Sequence, residues 1–195
     1  MRRFLTLGPG TNHEVVAARY LAFHDVPDTA LSFVDAPDKA VDRLLAGTAD
    51  WFVLCAVHPA TPWVCAQFRR GVYIVDSFIA PSKPLAILTH AEVAAPRRIG
   101  LFRAVEDYAD MSRWSEREVI DEGSLVTIGK RLLAREFESA VVYADLADQH
   151  PGRFRVDAEI ESPDDAWLVL GTRRAAGRDG LVARRDSAVA TVLAE

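Results

Sequence analysis

The sequence predicts a two-lobed α/β clamp with mostly parallel sheets, and three observations predict it. Short β-like runs alternate with amphipathic helical segments along the chain, the pattern of strands joined by crossover helices. Pro81-Ser82-Lys83-Pro84 interrupts that alternation and reads as a crossing between lobes, because closely spaced prolines break helix and strand alike. The chain has 195 residues, half of them hydrophobic, which suffices for two small lobes sharing a hinge.

Each element follows from its residues. Arg3 to Leu7 is a first strand, Gly8-Pro9-Gly10 a turn, and Thr11 opens a helix to about Phe23. Thr11 and Glu14 have the spacing of a capping box, and Val15, Ala18 and Leu21 form that helix's apolar face. Ala30 to Val34 is the next strand. Asp35 caps a second helix with Pro37 in its first turn and Val41, Leu44 and Leu45 inward, and Gly47 ends it. Trp51 to Val57 is a buried strand, followed by a loop, a short helix and the strand Val72 to Ala80.

Beyond the crossing, Leu85 to Thr89, Arg98 to Phe102, Glu118 to Ile120 and Ala140 to Tyr143 read as strands, with helices over Ala104 to Met111 and Leu125 to Ala134. Phe154 to Ile160 and Ala166 to Leu170 are expected to return to the first lobe, and Leu181 to Leu193 to close it as a helix. The expected division is residues 1–81 plus 152–195 for lobe 1 and residues 82–151 for lobe 2. Two lobes joined by two crossings form a hinged clamp that closes on a ligand.

Several function classes are excluded. A net charge of −5 argues against a protein that neutralises nucleic-acid phosphates. No apolar run is long enough to span a bilayer, and the opening residues are too short in apolar length for a signal peptide. Cys55 and Cys65 sit in apolar surroundings and read as free thiols in a reducing compartment; a cytoplasmic location is the expectation. There is no Gly-x-Ser-x-Gly elbow, no phosphate loop and no metal-ligand spacing, so no cofactor and no metal are expected.

Three segments carry a resemblance. Leu7-Gly8-Pro9-Gly10-Thr11 resembles the Gly-Pro-x-Gly-Thr opening of prephenate dehydratases, one residue shorter. Ala46-Gly47-Thr48-Ala49-Asp50-Trp51-Phe52-Val53-Leu54 is similar to the strand that leads into that family's Pro-x-Glu-Asn-Ser loop, although the loop's polar signature is replaced here by Cys55-Ala56-Val57-His58-Pro59. Gly123-Ser124, the following helix and Ser139-Ala140-Val141-Val142 are similar to the family's Ser-Thr helix and next strand. The family's Thr-Arg-Phe signature is gone: Asp164-Asp165-Ala166-Trp167 stands there, and only an aromatic survives.

A short chain with that loss is closest to the prephenate decarboxylases of bacilysin-type antibiotic pathways, which keep a proline and a tryptophan where Pro163 and Trp167 stand. The resemblance implies a type 2 periplasmic-binding-protein-like clamp, a small anionic substrate such as prephenate, loss of carbon dioxide without aromatisation, and a homodimer. The lost loop and shortened turn leave open a clamp of the same fold that binds or senses a small anion without turnover, or a related lyase with another substrate.

Prephenate's two carboxylates need donors, which helix N-termini supply through free N–H groups and the dipole. Gly10-Thr11-Asn12 and Gly123-Ser124-Leu125 are the candidates, one per lobe, and the two must share a crevice for this reading to hold. Thr11 and Ser124 are equally readable as plain caps. Decarboxylation needs a proton delivered to carbon by a group titrating near neutrality. His58, after the buried strand, is the candidate donor, or else a loop residue that satisfies a backbone carbonyl. His13 faces either the cleft or solvent. Lys83 and Arg103 are the cations placed to meet the anion, Asp165 to orient a ligand hydroxyl, and Trp167 to wall the cleft; each is also readable as a surface, turn or core residue.

Overall fold

The computed structural model describes residues 1–121 and 123–174; the helix expected over Leu181 to Leu193 lies outside them. Ten strands and five α-helices form two five-stranded sheets. The first sheet has the order β2 (Thr29–Val34), β1 (Arg2–Leu7), β3 (Trp51–Cys55), β10 (Asp164–Gly171), β4 (Tyr73–Pro81). β1 is parallel to β2 and β3, and β10 is antiparallel to β3 and β4. The second sheet has the order β7 (Glu116–Ile120), β6 (Arg98–Phe102), β8 (Ser139–Tyr143), β5 (Leu85–His90), β9 (Phe154–Ile160). There β6 is parallel to its neighbours and β5 antiparallel to its own.

Both sheets are therefore mixed, where mostly parallel sheets were the expectation. The cause is the hinge. The chain leaves the first sheet through β4 into β5 and returns through β9 into β10. Outgoing and returning strands pair antiparallel on both sides, Leu85 with Ile160 and Pro81 with Asp164. β9 thus belongs to the second sheet, so the return crossing falls after Ile160 rather than near residue 151. The Ser82 N–H donates to the Pro163 carbonyl at 3.1 Å, and the Ser162 hydroxyl donates to the Ser82 carbonyl.

Alternation along the strands buries both faces of each sheet. On one face of the first sheet, α1 (Asn12–Phe23) packs Val16 and Ala17 against Val53, Trp167 and Val169. Of the expected Val15, Ala18 and Leu21, Leu21 packs partly buried against this cluster, while Val16 and Ala17 are the fully buried positions in place of Val15 and Ala18. On the other face, α2 (Pro37–Leu45) packs Val41 and Leu44 against Phe52 and Leu54. Its cap position is Ala36 rather than Asp35, which pairs instead with Lys39. α3 (Thr61–Cys65) continues into a 3-10 turn over Ala66–Arg70.

In the second sheet, α4 (Leu125–Leu133) buries Ile128 and Leu132 against Ala86, Leu88 and Phe137. A Cβ on Gly100 would overlap the Phe137 ring, so only glycine lets β6 and that ring approach. The helix expected over Ala104 to Met111 is only a 3-10 turn, Arg103–Val105. The Asp110 carboxylate accepts from both the Ser112 N–H and hydroxyl, a local bond that competes with helix continuation. Met111 and Trp114 then fold back as core. α5 (Asp145–Gln149) follows β8.

Candidate functional site

β1 and β3 end at the same edge of the first sheet, and β10, running the other way, begins there. This brings together side chains far apart in sequence, at the edge where open α/β sheets bind ligands. Trp167 pairs in register with Cys55. The His13 ring meets Trp167 edge-on at 5.1 Å between centroids and His58 at 5.7 Å. Asp165 accepts from the Ser82 hydroxyl in the crossing. Across the gap Tyr108, 41% exposed, comes from the second lobe. It lies near enough to Asp165 and Cys55 for their charges to act on it.

Burial shifts the histidine, thiol and phenol groups around Asp165 toward their neutral forms. Burial, reinforced by His58, pushes the His13 pKa down to about 3. The Cys55 N–H donates to His13 Nε2 at 3.4 Å, which puts the imidazole proton on Nδ1. Burial also lowers His58. Its Nδ1 accepts the Ala60 N–H at 3.1 Å, so it carries its proton on Nε2. Burial first, then Asp165, lifts the Cys55 thiol to about 11, and burial, then Asp165 and Cys55, raises the Tyr108 phenol. His58 thus satisfies a loop N–H rather than a carbonyl. It is neutral near pH 7, which removes the imidazolium expected of a proton donor.

The remaining predicted residues form a second group at the hinge. The Asn12 N–H donates to the Tyr143 hydroxyl at 3.2 Å, and Asn12 Oδ1 accepts the Lys83 N–H at 2.8 Å. The Lys83 ammonium binds Asp145 at 2.8 Å and lies 4.3 Å from the centre of the Tyr143 ring. Burial lifts the Tyr143 phenol to about 12. Gly10 (φ +80) approaches Val126 so closely that a Cβ there would lie 3.5 Å from its methyl group. Gly10 and Leu125 line one cavity, so the openings of α1 and α4 lie against each other.

Several predicted residues depart from their expected roles. Thr11 holds the cap position without a side-chain cap bond; its hydroxyl donates to the Gly8 carbonyl at 2.7 Å and closes the shortened turn. Glu14 does reach back, but to the Gly10 N–H at 2.6 Å, one residue before the cap. Arg103 is committed to Asp121 at 2.6 Å and Glu106 at 2.9 Å, which leaves its guanidinium already paired. Ser124 precedes α4 in extended conformation, without a side-chain cap bond. Leu125 is core as well as lining, and Trp167 is fully buried with its indole N–H on the Ala80 carbonyl.

Cys55, Ser82, Tyr108 and Tyr143 were not singled out from the sequence. Cys55 alone had a signal, as the residue ending a buried strand. Among the described residues no group of three or more His, Cys, Asp or Glu is placed to hold a metal, and no helix is long and apolar enough to cross a membrane.

Compared with protein-family models and with curated protein sequences, the chain matches none. Its fold matches solved structures. A prephenate dehydratase of Arthrobacter aurescens in complex with L-Phe superposes with a TM-score of 0.61 at 14% identity, covering 91% of this chain and 63% of that one. The Staphylococcus aureus prephenate dehydratase gives 0.61 at 11% identity, covering 100% and 78%. The periplasmic VFT2 domain of Bordetella pertussis BvgS gives 0.53 at 14%, covering 88% and 80%. The chain thus spans less than two thirds of the Arthrobacter protein's length. The fold is that of type 2 periplasmic-binding-protein-like clamps, shared by enzymes and a sensor domain.

Proposed function

We propose that the protein is a cofactor-free lyase acting on prephenate or a close carboxylic relative, removing carbon dioxide without aromatising the ring. The observation that carries this reading is the neutral crevice at the head of β10. Where the dehydratase signature would supply a threonine and an arginine, Asp164, Asp165 and Trp167 stand, and the groups around them are held uncharged. Leaving of the ring hydroxyl needs protonation, and the group placed against that hydroxyl in this reading is Asp165, an acceptor and not a donor. Loss of carbon dioxide is favoured when a carboxylate sheds its hydration against such uncharged groups beside the fixed charge of Asp165.

In this reading the α1 and α4 N-termini and His13 Nδ1–H hold the substrate's carboxylates. Asp165, steadied by Ser82, accepts the ring hydroxyl. Tyr108, kept protonated at neutral pH, replaces His58 as the group that delivers a proton to carbon. The setting is a cytoplasmic pathway for a specialised metabolite, with the protein as a homodimer.

Purified protein incubated with prephenate should release carbon dioxide without the ultraviolet absorbance of phenylpyruvate, and Tyr108→Phe should lower turnover while sparing binding. Appearance of phenylpyruvate, or untouched prephenate, overturns the assignment. The competing reading is a clamp that binds a small anion without turnover. It is favoured by the pairing of Lys83 and Arg103 within the protein, and it predicts thermal stabilisation by shikimate-pathway acids with no product.

A further inference from the structure

We infer that the groove between α4 and α5 is a second binding site, separate from the crevice, for a small amphipathic monocarboxylate. A cavity of about 320 Å³ lies there, at the small end of the range for ligand sites. His13, Cys55, His58, Tyr108 and Asp165 do not line it; it meets the substrate's proposed place only at Gly10 and Leu125, the openings of α1 and α4. Its floor is apolar: Val126, Gly129 and Leu133 of α4 face Val142 and Leu146. Gly129 keeps it open, since a Cβ there would already meet Leu146 at 3.4 Å and Val142 at 4.0 Å.

The two ends of the groove differ in charge. At the hinge end the walls are Gly10, Lys83, Tyr143 and Asp145, and the ammonium and carboxylate of that group neutralise each other at 2.8 Å. The far end presents Lys130, Gln149 and His150, and the one lining carboxylate, Asp145, is at the hinge end paired with Lys83. An apolar trough closed by a neutral ion pair at one end and hydrogen-bond donors with a cation at the other fits a molecule with one ring-sized apolar body and one terminal carboxylate. A dianion such as prephenate would place its second charge on the apolar floor, at a desolvation penalty.

The site also reports on the hinge, because its walls come from both lobes. Gly10 belongs to the first lobe and α4 and α5 to the second, so an occupant favours the arrangement in which they touch. This inference does not depend on which reaction, if any, the crevice performs.

The test uses 3-phenylpropanoate as the probe and its neutral amide as the control, titrated calorimetrically into the whole protein. The carboxylate should bind, and the amide more weakly. Lys130→Glu, an exposed change, and Leu146→Trp, which fills the trough, should each weaken the carboxylate by about fivefold or more. Both variants should leave prephenate binding unchanged, whereas His13→Asn should do the reverse. Bound probe should slow exchange of the Lys83 amide proton. Absence of binding at millimolar concentrations overturns the proposal, as does binding lost in His13→Asn and retained in both groove variants. The latter would place the probe in the crevice.

Discussion

At the crossing edge of the first lobe, His13, Cys55, His58 and Asp165 collect where strands end, and among the described residues Ser82 and backbone groups answer them. The second lobe handles polarity differently. Several of its buried groups form a connected network: Thr89 and Ser139 share a hydrogen bond at 2.6 Å, the Trp114 indole donates to Ser139 at 2.9 Å, and Thr89 donates to Asp157, while His90 Nδ1 is buried without a partner among the described residues. Asp157 is in turn held by Arg113 and Arg155. On its surface Arg98 and Arg131 converge on Glu118. The crossing edge pairs each polar side chain singly, while Thr89, Trp114, Ser139 and Asp157 are linked into one network. Fully satisfied networks specify a rigid core, and incompletely partnered groups mark a place for chemistry.

Four measurements can break or sharpen that contrast. The largest effect is expected from Trp167→Ala, which removes the biggest fully buried side chain and the wall behind His13. It should destabilise the protein by about 3–5 kcal/mol in denaturant titration. The unfolding transition should stay single, because the lobes share a strand ribbon; two separated transitions would show that they fold independently.

Acid is next. The folded pKa of His13, about 3, lies below its ordinary 6.5, so the unfolded chain binds the extra proton. Stability should therefore decline as pH falls below 6.5, by about 3 kcal/mol near pH 4 from this group. A His13→Gln variant should lack that part of the decline, and parallel pH curves for the two proteins would refute the burial argument.

In the second lobe, Ser139→Ala strands the Trp114 N–H, while Thr89 keeps its bond to Asp157; it should cost about 1–3 kcal/mol, with ligand binding intact. A loss of binding there would dissolve the contrast between lobes. Smallest is Thr11→Val, which removes the bond to the Gly8 carbonyl and should lower stability by about 1 kcal/mol. Binding of prephenate should fall by a larger factor than stability if the turn presents donors to the ligand.

The first crossing and the strands β5, β6 and β8 were legible in the sequence, because buried strands are runs of apolar residues between turn signals. Arg98–Phe102 was read to the residue. What escaped was long-range pairing. Nothing local to Phe154–Ile160 says that it pairs with β5 and not with the first sheet, and the mixed sheets follow from that one partner choice. Ala104 to Met111 has helical composition, yet Asp110 turned it into a loop and so delivered Tyr108 to the crevice. The two helix openings, at Asn12 and Leu125, were legible as elements. The conversion of His58 to a neutral loop anchor was not, since burial and an N–H two residues away decide its proton. The Tyr143–Asn12 contact joins positions 131 residues apart, beyond any motif.

The paired crossings carry a further consequence. Pro81 and Asp164 sit side by side across the ribbon, so everything between them hangs from what would otherwise be a hairpin tip. A tight two-residue turn could close that tip. The first sheet would then remain a continuous scaffold, and the segment removed would have its two severed ends adjacent, ready to be joined or transplanted as a cassette.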